Sequence, residues 1–275
     1  MTNTIFFGTP EFVLPICDAL LEIAEVKLVG VVTAPDKPVG RKQIITPSPV
    51  KQWAQNHQIP AVSENHKSEI RNMKSDLGIL AAYGQILPQE IIDQFREGIL
   101  VIHPSLLPKY RGASPIQSAI LNGDQITGCS IIKMDAKMDH GPIVYQFEEE
   151  IKPTDTSFDL YNRIFTKTAE VLKTVIPDYL EGKIIPREQN DDEATYCKVL
   201  AKQDGFFEIE NPLSKEVLGR MIRAYYPWPG VWTLWHGKRI KFLPNNMVQV
   251  EGKNSLPFSQ FLTTNPGFPI IPPKL

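Results

Sequence analysis

Short apolar runs, set apart by turn residues and amphipathic stretches, give the first 180 residues their rhythm. Ile5–Phe7, Val26–Thr33, Leu77–Ala82 and Gly98–Ile102 are each rich in apolar or β-branched residues and bounded by Gly, Pro or polar positions. That is the pattern of strands buried on both faces. Cys129–Met134 is a fifth such run. Helical patterns fall between them: roughly residues 10–23, a helix opened by Ser48 and Pro49 with Val50, Trp53 and Ala54 on one face, Gln89–Phe95 behind Pro88, and Ser114–Leu121. Thr156–Leu180 is the longest, with Phe158, Leu160, Tyr161, Ile164, Phe165 and Leu172 expected on its buried side. Ile143–Ile151 alternates in part and ends on three glutamates, which predicts an antiparallel or edge strand. Strands alternating with helices predict an α/β layer with a mostly parallel sheet.

The pattern changes after residue 181. Residues 182–196 are polar and broken by Pro186 and the acidic run Asp191–Glu193, and read as a linker between domains. A helix over Ser214–Tyr225 and short strands over Trp232–Trp235, Arg239–Phe242 and Met247–Val250 follow, with turns at His236-Gly237 and Asn245-Asn246. The division this implies is a domain over 1–181, a linker over 182–200 and a small β-rich domain over 201–275.

Composition narrows the class. Hydrophobic residues make up 42% of the chain and charged residues 22%, the proportions of a soluble globular protein. The N-terminal residues lack a secretory pattern, no apolar run reaches membrane-spanning length, and the three cysteines lie far apart. A cytoplasmic protein with no membrane partner, no disulfides and no metal is expected, acting as a monomer. Net charge is only −2, but residues 201–275 carry nine Lys and Arg against five Asp and Glu. A basic tail on an acidic body suggests an anionic partner such as RNA, a chance surface excess being the alternative.

The candidate chemistry sits in residues 98–142. His103 closes an apolar strand before Pro104, and Asp135 and Asp139 lie in the turn after the next strand, closed by Gly141-Pro142. A histidine beside a carboxylate is a proton-transfer pair. Read alone, His103 is equally a satisfied structural histidine and Asp139 a turn former. No GxGxxG follows the first strand and no GxxxxGK[ST] occurs, so a dinucleotide or nucleoside-triphosphate site is unsupported.

The stretch His103-Pro-Ser-Leu-Leu-Pro108, Arg111-Gly112, Pro115-Ile-Gln117, Gly123-Asp124, Thr127-Gly128 and Met134-Asp135 through Met138-Asp139-x-Gly141 resembles the folate-dependent formyltransferases, and within them those acting on methionyl-tRNA. Further matching blocks are Phe7–Phe12, Ala34–Arg41, Pro47–Lys51, Ala82–Gly84 with Ile86–Pro88, and Tyr225 with Pro227–Pro229. The resemblance implies a Rossmann-like catalytic domain followed by a small OB-like β-barrel domain, apparently shortened from about Pro244 onward. It implies formyl transfer from 10-formyltetrahydrofolate to the amino group of initiator methionyl-tRNA, without a metal. It also implies roles: His103 and Asp139 as catalytic residues, and Arg41 and Lys42 as tRNA contacts. Ala82, Tyr83, Gly84, Ile86, Leu87 and Pro88 would line the folate pocket, with Ser105, Leu106, Leu107 and Pro108.

One position departs from the family pattern. An Asn is expected two residues before the histidine, and Val101 stands there. Valine donates no hydrogen bond, and loss of one oxyanion donor typically costs ~2.7–4 kcal/mol of transition-state stabilisation. Two further readings therefore stay open: a non-catalytic or impaired folate- and tRNA-binding relative, and a formyltransferase acting on another amine.

Overall fold

The computed structural model of the chain describes all residues except 41, 64–66 and 271–275. Its contacts divide the chain into two units. The first holds Met1–Arg111, Gly128–Glu149 and Asn162–Thr195, and the second holds Gly112–Thr127, Glu150–Tyr161 and the chain from Tyr196 on.

In chain order the elements of the first half are β1 (Thr2–Gly8), α1 (Leu14–Glu22), β2 (Val26–Thr33), β3 (Lys37–Val39), β4 (Ile44–Thr46), α2 (Pro49–Asn56), β5 (Ala61–Ser63), α3 (Lys67–Asn72), β6 (Leu77–Ala81), α4 (Gln89–Ile92) and β7 (Gly98–His103). After them come β8 (Arg111–Gly112), α5 (Pro115–Asn122), β9 (Ile126–Lys133), β10 (Ile143–Glu150) and α6 (Ser157–Leu180). Seven strands make one sheet in the order β10-β9-β7-β6-β1-β2-β5. The five from β7 to β5 pair in parallel, as the continuous apolar runs predict, whereas β9 runs antiparallel to β7 and β10 forms the edge.

Both faces of the parallel part are covered. Ile5 and Phe7 pack with Val32, Val62, Ile91 and Ile99 on one side, while Phe6, on the alternate face, is fully buried as well. Phe7 meets Tyr83 and Phe95 edge-on at 5.7 and 5.9 Å between ring centroids. On α6, Leu160, Ile164, Phe165, Leu172 and Ile176 are buried as one stripe. Phe158, expected with them, is 49% exposed, because it sits two residues and so about 200° around the helix from Leu160.

The second unit adds β11 (Tyr196–Cys197), α7 (Lys215–Ala224), β12 (Val231–Trp235), β13 (Lys238–Leu243), β14 (Met247–Val250), β15 (Ser255–Pro257) and α8 (Phe258–Thr264). The small β domain is a four-stranded antiparallel meander, β12 to β15, whose core includes Phe242, Phe258, Phe261 and Phe268. Ser214 caps α7 by accepting from the Val217 amide at 3.2 Å, and α7 packs against α5.

Candidate active site

His103 ends β7, and its strand neighbour β6 runs parallel in the register Leu77↔Gly98 to Ala81↔Ile102. The loops after the two strands, residues 82–88 and 104–110, therefore leave adjacent strands at the same end of the sheet. Open α/β sheets place ligand sites outside the carboxyl ends of such strands.

Asp139 arrives by a different route from the one its position after a strand suggests. Because β9 is antiparallel to β7, Lys133 lies beside Leu100 rather than beside His103. The loop 134–141 folds back along β7 and brings Asp139 Oδ2 to 3.5 Å from His103 Nδ1. Its tight course needs glycine at its exit: a Cβ on Gly141 would lie 1.8 Å from the Lys133 carbonyl oxygen.

The imidazole is held from the other side as well. His103 is 5% exposed, and its Nε2 lies 2.8 Å from the carbonyl oxygen of Tyr110. A carbonyl only accepts, so the hydrogen-bond network assigns the proton to Nε2, leaving Nδ1 toward Asp139. A bare Nδ1 lone pair facing a carboxylate would be repulsive. A proton placed between Nδ1 and the carboxylate would join the two, and passing such a proton on is what a relay does.

A buried arginine and the segment read as a linker fix this loop. Arg111, only 2% exposed, donates from Nε and Nη2 to Gln189 Oε1 at 3.1 and 2.8 Å, and from Nη2 to Asp191 Oδ1 at 2.8 Å. The Gln189 amide nitrogen then donates to the carbonyl oxygens of Asp139 and Gly141 at 2.9 and 2.8 Å. One side chain thus ties a buried cation to the turn that carries the carboxylate. His140 stands between Asp135 Oδ2 and Asp191 Oδ2, at 2.6 and 3.3 Å. The Arg111 guanidinium holds the Asp191 carboxyl below the usual carboxylate range. Farther along, Arg187 pairs with Ile143, and Thr195 bonds the backbone of Pro108, Tyr110 and Arg111. Sequence reading missed Gln189, Asp191 and His140. The available signal was Arg111 itself, a cation in an otherwise apolar neighbourhood that must find acceptors somewhere.

Val101 shares a face of β7 with His103 and is 7% exposed, packed with Leu107, Ile132 and Ile143 and flanked by Leu80 and Met134. The position where the resemblance leads one to expect an amide is part of an apolar cluster.

The residues expected around the folate divide by exposure. In the loop after β6, Ala82, Gly84 and Ile86 are exposed, the last at 86%, with Ala82 and Gly84 at φ 47° and 78°. Tyr83 and Leu87 point instead into the core beside Phe7, and Pro88 is half-buried. In the second loop Leu106 and Pro108 are half-buried, while Ser105 and Leu107 are closed off. Ser105 donates to the Lys109 carbonyl at 2.7 Å, and the Leu107 amide donates to Ser130 at 3.0 Å. Ile86, Pro88, Leu106 and Pro108, with the backbone of Ala82 and Gly84, are thus the members of both blocks that keep exposed surface.

Residues 37–39 and 44–46 pair as the antiparallel hairpin β3–β4, with Lys42 exposed near its tip. Arg41 lies outside the described residues. Cys129, in β9, is buried, and burial pushes its thiol up to about 12, so it serves packing rather than chemistry.

The chain matches the Formyl transferase family over residues 2–176 and the Formyl transferase C-terminal domain over residues 200–271. A methionyl-tRNA formyltransferase of Chloroflexus aurantiacus is 36% identical over 273 residues, spanning 97% of this chain and 87% of that protein. Among solved structures, a 4-N formyltransferase from Francisella tularensis superposes with a TM-score of 0.70 at 20% identity, over 88% of this chain and 96% of that one. A methionyl-tRNA formyltransferase from Clostridium thermocellum superposes with a TM-score of 0.63 at 18% identity, over 93% and 98%. At these identities the structural likeness speaks for the fold alone. Matched in both its parts, and more than a third identical to a relative along nearly its whole length, the chain belongs to the formyltransferase family.

Proposed function

We propose that the chain transfers the formyl group of 10-formyltetrahydrofolate to the amino group of methionine esterified to initiator tRNA, acting in the cytoplasm. The observation that carries this reading is the His103–Asp139 pair, 3.5 Å apart in the motifs that resemble the family's signature, with the far ring nitrogen pinned by Tyr110. The amine attacks the formyl carbon, the carbonyl electrons move onto oxygen, and the amine nitrogen becomes positively charged. Asp139 takes that proton, His103 faces the oxyanion, and collapse of the intermediate expels the folate nitrogen, which receives a proton in turn. Asp139, with 17% of its side chain exposed against 6% for His103, is the member open to an incoming amine.

The folate reading is supported by the two loops leaving the same end of β6 and β7, with Ile86, Leu106 and Pro108 as apolar walls and backbone amides as polar groups. The tRNA reading is supported by the methionyl-tRNA relatives, by Lys42 on the exposed hairpin and by the basic tail. A second reading, an impaired enzyme, is favoured by one observation: Val101 fills its site with an apolar cluster and brings no oxyanion donor. Purified protein, a labelled formyl donor and charged initiator tRNA decide between them. Formyl-methionyl-tRNA at multiple turnovers is the expected product. Folate and tRNA binding without product would establish the impaired reading.

A further inference from the structure

A cavity in the second unit has no part in the chemistry above. It measures about 270 Å³ and lies where the end of α5 meets α7 and residues 151–153. That is just below the roughly 300–1,000 Å³ of sites enclosing a whole small ligand, and suits a compact group. Four of its lining residues are cations, Lys152, Lys215, Arg220 and Arg223, against the carboxylates of Asp124 and Glu216.

The two arginines lack full charge compensation. Arg220 lies over the end of α5, where Gly123 caps the helix at φ 78°, and a Cβ there would be 2.4 Å from Arg220 Nη1. Arg220 Nε is shut off from solvent and has no hydrogen-bond partner among the described residues. Its ion pair with Glu216 is long, at 3.4 Å, and Glu216 is 78% exposed, so that pairing is weak. Arg223 donates from Nη1 to the Asp155 carbonyl at 3.1 Å. Burial, together with the neighbouring Arg220 charge, holds Arg223 below its ordinary value despite Asp155. Two guanidinium groups that line one cavity and repel each other, one with an unmet buried N–H, are costly unless an anion joins them. Neither lysine is buried, so both are available to the same anion.

We propose that this cavity binds a phosphate group, whose oxygens accept from Arg220 and Arg223 and whose charge is screened by Lys152 and Lys215. Guanidinium forks match phosphate oxygens in geometry as well as charge. The group has two possible sources, a phosphate of a polynucleotide backbone and a free phosphate or small phosphate ester. Only the first rests on the methionyl-tRNA reading.

The test uses the full chain, the variants Arg220→Gln and Lys215→Gln, and two titrations. Inorganic phosphate, followed by calorimetry, is expected to bind the parent and to lose at least tenfold in affinity with Arg220→Gln. Lys215→Gln, on an exposed side chain with no packing role, should weaken it severalfold while leaving the melting temperature unchanged. Uncharged tRNA is then titrated across salt concentrations, which needs neither folate nor turnover. If the site holds a backbone phosphate, the slope of log affinity against log salt becomes less steep by ~0.9 in Arg220→Gln. An unchanged slope with lost phosphate binding supports the site and assigns it to a free phosphate ester. Failure of the parent to bind phosphate, with an unchanged tRNA slope in both variants, would overturn the proposal, whatever the outcome of the formyl-transfer assay.

Discussion

His103 Nδ1 stands 3.5 Å from Asp139 Oδ2 while Nε2 of the same ring is fixed 2.8 Å from the Tyr110 carbonyl oxygen. The ring can turn only by breaking that second contact, so its orientation is set before substrate arrives. Replacing His103 with Ala removes the group proposed to face the oxyanion and to share the pair's proton. Turnover is expected to fall ~10²–10⁴-fold, the range of a lost acid–base group. Affinity for a folate analogue, read by calorimetry, should stay within about twofold, because the walls assigned to the folate belong to the loops.

Gln189→Leu deletes the amide that bonds both Asp139 and Gly141 and leaves Arg111 one acceptor short. A loss of ~1–3 kcal/mol in stability and about a tenfold fall in kcat are expected, with folate affinity kept. Gln189→Glu keeps the acceptor for Arg111 but sets carboxylate oxygen against two carbonyl oxygens. Its melting temperature should fall less than that of the Leu variant while kcat falls as far. Full kcat in both variants would remove Gln189 from any role in holding Asp139.

Val101→Asn places the expected amide among Leu107, Ile132 and Ile143. If the new donor reaches the formyl oxygen, turnover should rise ~100-fold. The apolar surroundings set a cost, about 1–3 kcal/mol for an amide that finds no partner. Rate and melting temperature must therefore be read together. A less stable protein with unchanged rate means that the site around Val101 has been rebuilt as core.

Much of this arrangement was legible in the residues. The continuous apolar runs gave the buried parallel strands, and the quoted motifs singled out His103 and Asp139, which the fold brings to 3.5 Å from each other. The return path of loop 134–141 was not legible, because strand direction is set by pairing partners and not by apolar content: an antiparallel β9 reads like a parallel one. Segment 182–196 looked like a linker because polar residues on a buried arginine and polar residues in water have the same composition. Its function became visible only through Arg111, whose acceptors are Gln189 and Asp191. Tyr83, Leu87, Ser105 and Leu107 were expected to line a ligand, yet their side chains are buried, since short motifs do not say which member of a block faces inward.

Glu149 gives a pH test of stability. Burial acts to raise its pKa, but hydrogen bonds from Lys167 at 2.9 Å and Arg163 at 2.7 Å outweigh it, and the folded-state value lies below the ordinary one. The carboxylate therefore stabilises the fold above the unfolded value of about 4.3, and that contribution is lost as pH falls through the lower folded value. Glu149→Gln should unfold more easily than the parent at pH 7, by about 1 kcal/mol or less for a partly exposed pair. The difference should hold at pH above the unfolded value and close as pH falls below the lower folded one. Denaturant midpoints across that range check it, and a gap that widens as the acid is added would contradict the sign.

Asp139→Asn tests the account most directly. The substitution keeps size and hydrogen-bonding capacity but removes the group proposed to take the amine's proton. The measurement is the single-turnover rate of formyl transfer from 10-formyltetrahydrofolate to charged initiator tRNA, with both substrates bound at saturation. The account predicts a rate at least 100-fold below the parent with both affinities within about twofold. A rate equal to the parent's would show that the His103–Asp139 pair does not carry the proton.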